Sequence, residues 1–495
     1  MDSIQQGGHS IMTALFLSVV LTADPARLRL RHIDIFTPTR DILMHFKIDS
    51  DSRIPGALLL VTCTLSLSSS LCAGEIWKGF RGPVPLELSS ETLPVSWSPD
   101  AKPGWTASIP GYGQSSPVVA EDVVYVTSIE GPNKEECHVT AFSLESGEEL
   151  WRKTVANASP IENSSYVSRA APTPLCNDSG VVALFEGGNL LSLSRDGSLR
   201  WERNLVEEYG PVQSRHGLAA SLAETADHFI VWMERAEDPY ILAVNKETGE
   251  TDWKVSGLGT TSWSTPIVLD VEGVEQIVLS GNGLLRGIAA ETGETLWSFE
   301  EISGNTSPSP SVVGEGLVLV GATVGRGEAS GGRASSSNGL IRISKNDSGE
   351  WQAAFEWQAR RATCSFGSPL AHDGYAYFVN AQGVLYCINL ETGEEAYVQR
   401  TPQSVWATPI GVGDRIYLFG QTGTTTVLKS GPEFEVLAEN RLWEDAPKPA
   451  ASDETEGRGG RGGMGQSGPI QYAAAAVPGH LLIRTGDTLH CVTSE

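Results

Sequence analysis

The chain has 495 residues, with 35 basic and 60 acidic side chains and a formal net charge of −25. This acidic balance excludes general binding to nucleic acid or anionic lipid, because both require a cationic face. A hydrophobic content of 40% is enough for a folded core, and the abundance of Gly, Pro and Trp favours many short strands over a helical bundle. The length fits either about three domains or one repeat array, and the presence or absence of internal sequence repeats distinguishes these two possibilities.

The first 74 residues have the pattern of a leader. Lys47 and Arg53 precede an apolar run at 57–67, and small residues follow up to Ala73, which is typical of an export signal peptide. We therefore interpret 1–74 as an over-extended start followed by a signal peptide.

Export predicts a location in the periplasm or cell envelope. The apolar run is short and is followed by several serines, so we predict no transmembrane span in the mature chain. Cys72 lacks the small preceding residue that a lipobox requires, so we favour a mature chain without a lipid anchor and keep an anchor at Cys72 as the alternative.

Residues 75–495 repeat one unit of strands and turns. In six units a small residue and a proline open an apolar strand, and in two units small residues fill the same slot without proline. A second strand rich in β-branched residues follows each slot, which is typical of paired β-strands. The eight slots are 115–119, 171–175, 219–223, 264–268, 309–313, 367–371, 407–411 and 473–477.

The third strand of most units runs into an acidic turn with a glycine, and an aromatic residue follows on the fourth strand. The glycine supplies the positive φ of the turn, and the aromatic ring is predicted to dock on a neighbouring sheet. A degenerate copy of the turn precedes Trp351. The predicted docking residues are Trp105, Trp151, Trp201, Trp253, Trp297 and Tyr397.

Eight sets of four strands predict an all-β fold, an eight-bladed β-propeller of four-stranded antiparallel blades. The last unit stops after its third strand, at His490 and Cys491, and a spare strand with Trp105 lies at 104–109, before the first unit. We therefore predict that the N-terminal strand completes the C-terminal blade and closes the ring in one domain.

The repeated turn and its tryptophan resemble the PQQ-like (pyrroloquinoline quinone) eight-bladed propeller family over about residues 75–495. The segment EIWKGFRGP at 75–83 resembles the lead-in of exported, planctomycete-type members. The resemblance implies one of two roles. One is a non-catalytic scaffold, similar to the propeller lipoprotein of the outer-membrane β-barrel assembly machine. The other is a dehydrogenase that uses PQQ and calcium to oxidise alcohols or sugars.

Several sequence features favour the scaffold over the enzyme. The resemblance implies a vicinal disulfide and a Glu, Asn and Asp set around calcium in the dehydrogenases, but none of the seven cysteines is adjacent to another. The residue types that the calcium site of the dehydrogenases requires are present at Glu186, Asp270 and Asn282, but no sequence motif connects these three positions. We therefore predict a non-catalytic protein without a cofactor, and keep the PQQ- and calcium-dependent enzyme as the alternative.

Equivalent positions three residues before the strand slots suggest a ring at one mouth of the axial channel. Most of these side chains are aromatic or His, which favours stacking on a planar ligand or gripping an extended peptide. The alternative is that each ring only packs against the next blade. The predicted rim consists of Gln114, Arg169, Arg215, His216, Trp263, Phe366, Trp406 and Tyr472.

Two insertions rich in Gly and Ser interrupt the repeats, at 325–339 and 446–469. They are predicted to be mobile surface loops, either as plain linkers or as arms whose arginines contact a partner. Together these features predict an exported binding or scaffold propeller that acts as a monomer. Its predicted partners are proteins or peptides of the cell envelope.

Overall fold

The computed structural model describes residues 76–82, 92–101, 104–164, 167–323, 333–444 and 470–494, except for positions 213, 215, 236, 261 and 282. All of them lie within one compact unit, Ser69–Glu495. The predicted leader, Arg215, Asn282, most of the insertion at 325–339 and all of the insertion at 446–469 lie outside the described residues.

The first four blades follow one another along the chain, each as an antiparallel sheet. Blade one has β3 (Val118–Ala120), β4 (Val123–Glu130), β5 (Glu136–Ser143) and β6 (Glu149–Ala156). Blade two has β7 (Leu175–Asn177), β8 (Gly180–Leu184), β9 (Asn189–Ser194) and β10 (Leu199–Asn204). Blade three has β11 (Ala223–Glu224), β12 (His228–Met233), β13 (Tyr240–Asn245) and β14 (Thr251–Ser256). Blade four has β15 (Ile267–Val271), β16 (Val274–Gly281), β17 (Leu284–Ala289) and β18 (Thr295–Phe299).

The remaining blades complete the set. Blade five has β19 (Ser311–Gly314), β20 (Leu317–Val320), β21 (Gly339–Lys345) and β22 (Trp351–Gln358). Blade six has β23 (Leu370–His372), β24 (Tyr375–Val379), β25 (Val384–Asn389) and β26 (Glu395–Arg400). Blade seven has β27 (Ile410–Val412), β28 (Arg415–Phe419), β29 (Thr424–Lys429) and β30 (Val436–Arg441). Blade eight has β31 (Ala473–Val477), β32 (His480–Arg484), β33 (Thr488–Thr493) and, from the N-terminal side, β2 (Gly104–Ser108).

The eight four-stranded antiparallel blades confirm the predicted fold class. Innermost strands of most successive blades contact one another around the axis, and β31 of the last blade contacts β3 of the first. The described helices are α1 (Leu205–Tyr209) and a 3-10 turn at Arg333–Ser336. Neither is long or apolar enough to cross a bilayer.

The ring closes as predicted, through the N-terminal strand. β2 pairs antiparallel with β33, which places Trp105 opposite Cys491 and Thr106 opposite His490. Arg484 of blade eight also binds blade one. Its guanidinium is fully buried and donates to the Ser115 hydroxyl and to the Thr127 carbonyl, both at 2.6 Å. Burial lowers the pKa of Arg484 to about 9.

Middle strands are buried on both faces, while outermost strands alternate between half-buried and exposed positions. In blade three, β12 and β13 are almost entirely buried, whereas β14 alternates along TDWKVS. The hydrophobic core lies between neighbouring blades. One cluster, for example, joins Tyr377 and Leu385 of blade six to Ile416 and Leu428 of blade seven. Burial of both faces explains why the inner strands are continuous apolar runs.

Five tryptophans connect an outer strand to the turn of the next blade. Each indole N–H donates to a backbone carbonyl in that turn, and the ring lies where a Cβ on the turn glycine would stand. These indole N–H donors and carbonyl acceptors are Trp105 to Leu144, Trp151 to Arg195, Trp201 to Lys246, Trp253 to Ala290 and Trp357 to Leu390. The glycines are Gly147, Gly197, Gly249, Gly293 and Gly393.

The structure departs from the repeat pattern in the fourth and fifth blades. Trp297 is 4% exposed, but its indole N–H donates to the side chain of Gln276 in its own blade. In blade five the turn of blade six receives Trp357 rather than Trp351, because β22 extends past Trp351 and shifts register beside Trp357. Trp351 instead lies under the Lys345 ammonium, 4.5 Å from its ring centre.

Candidate functional site

The predicted rim residues form three separate groups rather than one continuous ring. His216 is exposed and meets Trp263 edge-on, with ring centres 5.8 Å apart. The Trp263 indole N–H donates to the Gly217 carbonyl at 3.2 Å. This pair lies on the loops that lead into blades three and four, where both rings pack on each other.

A second group lies where blades one, two and eight meet. The Arg169 guanidinium stacks 3.5 Å above the Tyr112 ring, and the Gln114 side chain accepts from the Arg169 backbone N–H at 2.9 Å. The hydroxyls of Tyr112 and Tyr472 are 2.6 Å apart. Burial, followed by the neighbouring Tyr472, raises the pKa of Tyr112.

Beneath Arg169 lies a buried ion pair. Lys134 is fully buried, and its ammonium lies 3.3 Å from the Glu186 carboxylate and donates to the Ser168 carbonyl. Glu186 also accepts from the backbone N–H of Ala170 at 3.0 Å. Desolvation raises the pKa of Glu186 and lowers that of Lys134. These contacts tie the loop at Ser168 and Ala170 to Lys134 in the turn between β4 and β5 and to Glu186 in the turn between β8 and β9.

The third group combines Phe366 and Trp406, on the loops that lead into blades six and seven. Their ring centres are 4.8 Å apart, and Phe366 is 46% exposed. A large apolar side chain with that exposure at a concave mouth is available for contact with a ligand.

The segment 76–82 lies inside the axial channel, which the repeat pattern does not predict. Its strand β1 (Ile76–Trp77) pairs antiparallel with the inner edge of β3, so it is a fifth strand of blade one. Trp77 is 2% exposed, and the backbone carbonyl of Lys78 accepts from the Cys176 N–H of blade two at 2.9 Å. The segment therefore fills the side of the channel next to blades one and two.

Arg81 extends from this segment across the channel to blade five. Its guanidinium donates to the Pro310 carbonyl and the Ser311 hydroxyl. Burial lowers the pKa of Arg81 to about 10, and no carboxylate among the described residues pairs with it. Arg81 is half-buried, and a partly desolvated cation without a countercharge favours an anionic group beside it.

A cavity of about 560 Å³ occupies the other side of the channel, next to blades five to eight. Phe366, Trp406 and Tyr472 line it on the rim loops, and Arg81 and Phe80 line it from the N-terminal segment. Further lining comes from all of β23 and from the turn that follows it, at Asp373 and Gly374. The cavity therefore runs along the inner strands from one end to the other.

The structure brings three of the seven described rim residues to this cavity. Phe366, Trp406 and Tyr472 line it, whereas Gln114, Arg169, His216 and Trp263 are not among its lining residues, and Arg215 lies outside the described residues. The sequence interpretation missed Trp77, Phe80 and Arg81. The signal available for them was the lead-in EIWKGFRGP, a motif outside the repeats.

The cavity does not fit the calcium ion that the dehydrogenase alternative requires. Calcium takes about six to eight oxygen ligands, mostly from carboxylates and carbonyls. Among the described lining residues, Asp373 is the single carboxylate, and it accepts a hydrogen bond from Ser430 at 2.6 Å. Elsewhere, Glu186 pairs with Lys134 and Asp270 caps its own turn at Gly273. Asn282 lies outside the described residues.

Comparison with solved structures finds matches of low sequence identity, and the first of them, with a TM-score of 0.50, shares the fold of this chain. BamB from Moraxella catarrhalis is 13% identical with a TM-score of 0.50, covering 79% of this chain and 97% of that one. Quinohemoprotein alcohol dehydrogenase from Comamonas testosteroni is 12% identical with a TM-score of 0.48, covering 79% and 76%. The computationally designed Ika8 protein is 11% identical with a TM-score of 0.46, covering 78% and 99%.

Sequence comparison then assigns the family. No curated protein matches the chain. The family model described as outer membrane protein assembly factor BamB matches residues 89–216 and 213–430, which is more than half of the chain. With its eight blades and docking tryptophans, the chain belongs to this BamB family of PQQ-like propellers.

Proposed function

We propose that this chain is an exported, non-catalytic propeller of the cell envelope that binds an extended peptide segment of a partner protein. The observation that carries the proposal is the axial cavity with Phe366, Trp406 and Tyr472 on its rim side. The membership of the BamB family and the fold it shares with BamB from Moraxella catarrhalis support a binding role. The protein is proposed to act as a monomer.

The shape and size of the cavity favour a peptide chain. A cavity of about 560 Å³ lies within the range of about 300–1,000 Å³ that ligand sites occupy. It runs along inner strands, and β1 shows that the inner edge of a blade accepts an extended segment in antiparallel pairing. Addition of a strand to a sheet edge is a common mode of peptide recognition.

The chemistry of the lining specifies the segment further. Phe366 and Trp406 offer two adjacent rings, and aromatic anchors at a concave site carry much of the binding energy in protein interfaces. Arg81 adds a cation without a carboxylate partner among the described residues. We therefore propose a segment with an apolar side chain at the mouth and a carboxylate near Arg81.

A random-peptide display library, selected on the immobilised protein, tests this function. We expect the double variant Phe366→Ala, Trp406→Ala to lose at least tenfold in affinity for the selected peptides, because both anchors are removed. The matched control is the double variant His216→Ala, Trp263→Ala, on the rim away from the cavity, which should keep wild-type affinity. Equal losses in both variants, or in neither, would contradict the proposed site.

The dehydrogenase alternative has its own test. We propose that the protein works without a cofactor, so titration with PQQ and Ca²⁺ should give neither stoichiometric binding nor dye-linked alcohol oxidation. Tight binding of one PQQ per chain together with turnover would replace the scaffold proposal by the enzyme.

A further inference from the structure

Blade one carries a group of potential metal ligands that the repeat pattern does not explain. Glu130 at the end of β4 lies directly opposite Glu136 at the start of β5, and His138 follows two residues later on the same strand. Because side chains alternate along a strand and opposed residues share a face, all three lie on one side of the sheet. Their ligand atoms lie within 4.8 Å of one another.

The imidazole of His138 is held in a fixed orientation. His138 is 2% exposed, and its Nδ1 is 2.9 Å from the Thr154 hydroxyl on β6. Its Nε2 lies 3.2 Å from a Glu130 carboxylate oxygen and makes no hydrogen bond with any residue that the structure describes. Metal-binding histidines use one ring nitrogen for the ion and hydrogen-bond through the other, which is the arrangement seen here.

The distances fit a small divalent ion. Zinc binds imidazole nitrogen and carboxylate oxygen at about 2.0–2.2 Å, so neighbouring ligands on one ion stand about 3.0–3.5 Å apart. Nε2 and the Glu130 oxygen already have that separation at 3.2 Å. Both carboxylates are exposed and can turn toward the ion. Two like charges placed directly opposite each other destabilise a sheet, and a cation between them removes that repulsion.

We propose that Glu130, Glu136 and His138 form a binding site for a divalent transition-metal ion of the zinc class, with water completing the coordination. The site is separate from the axial cavity and does not depend on the peptide-binding proposal. A mixed nitrogen and oxygen set selects zinc, nickel or copper over calcium, which takes oxygen ligands.

Calorimetric titration of the full chain with Zn²⁺ tests the site, and Ca²⁺ is the comparison ion. We expect the double variant Glu130→Gln, Glu136→Gln to bind one equivalent of Zn²⁺ fewer than the wild type. Both side chains are exposed, so this variant should fold, as thermal melting would verify. Thr154→Val, which removes the hydrogen bond to Nδ1, should weaken Zn²⁺ binding by about 10- to 100-fold.

The matched control is His228→Ala, which removes a histidine 2.8 Å from a single carboxylate, Asp252, on blade three. This variant should bind Zn²⁺ as the wild type does. The proposal is overturned if the double glutamine variant keeps the wild-type stoichiometry and affinity, or if Ca²⁺ binds at these residues as tightly as Zn²⁺.

Discussion

The indole of a docking tryptophan has two contacts in the next blade. In Trp201 the N–H donates to the Lys246 carbonyl at 3.3 Å, while the ring lies against Gly249 so closely that a Cβ there would approach to 2.5 Å. The polar edge of the ring is thereby satisfied as its face becomes half-buried, which is how buried tryptophans are usually accommodated. One residue type thus joins neighbouring blades by hydrogen bonding and packing together.

Glu234 is a single residue that should make stability depend on pH. Its carboxylate accepts from the Trp232 indole at 2.8 Å and from the Leu258 backbone, but desolvation outweighs these bonds and raises its pKa above the ordinary 4.5. Below pH 4.5 both folded and unfolded states hold the proton. As pH rises from there through the folded pKa, the unfolded state loses the proton first, so the free energy of unfolding falls.

Glu234→Gln removes this titration. We expect the stability of the wild type relative to the variant to decrease as pH rises from 4.5 through the folded pKa and to level off above it. Urea unfolding at several pH values measures this difference. Parallel pH profiles for the two proteins would show that Glu234 does not titrate as described.

At the scale of elements, the turn between the third and fourth strands decides how one blade meets the next. Gly249 adopts a φ of +74° and Gly349 adopts +80°, so both turns need the left-handed conformation. Trp201 lies over the first glycine, whereas a Cβ on the second would meet nothing within 4 Å. Both turns carry the backbone strain of a positive φ, but only the turn at Gly249 also contacts a tryptophan of the preceding blade. A comparison of the two therefore distinguishes the effect of strain from that of interblade contact.

Substitution of each glycine by alanine measures that difference. Both variants carry the strain of a positive φ, of order 1 kcal/mol or more. Gly249→Ala must also displace the Trp201 ring, so we expect it to lose about 1–3 kcal/mol more than Gly349→Ala, as for overpacking of a core. Thermal or urea unfolding gives both values. Equal losses would mean that the ring contact contributes nothing.

Particular elements show how far sequence reasoning extends. The blades were predictable because each unit repeats its strand alternation and turn glycine, and the unfinished last unit required the spare strand at β2. The docking role of Trp357 was not predictable, because a register shift within β22 moves the docking position away from the motif at Trp351. β1 was not predictable either, since two residues carry no periodicity and tertiary pairing alone defines them. β1 and the residues after it fill one side of the channel, so only part of the predicted rim lines the remaining cavity.

At the scale of the whole molecule, one strand from the N-terminal side completes the ring. Among the described strands, β2 pairs only with β33, and it supplies Trp105, whose indole N–H donates to the Leu144 carbonyl in the turn of blade one. The same strand therefore finishes blade eight and ties it to blade one. Closure in this way removes exposed sheet edges that would otherwise pair between molecules.

Deletion of residues 75–110 should open the ring. The edge of β33 and the inner edge of β3 lose their partners, so we expect a lower melting temperature and aggregation through unpaired strands. Light scattering during thermal unfolding would record both. A truncated protein that stays monomeric with the wild-type melting temperature would refute closure by the N-terminal strand.

The most direct test of the proposed function alters the cavity without touching its aromatic mouth. Ala371 on β23 lines the cavity and is half-buried, so Ala371→Trp should occupy the space along the inner strand. Equilibrium binding of the library-selected peptides is then compared with that of the wild type, with thermal melting as a check on folding. The account predicts at least a tenfold loss of affinity while Phe366 and Trp406 remain in place. Unchanged affinity in a folded Ala371→Trp protein would contradict binding within the axial cavity.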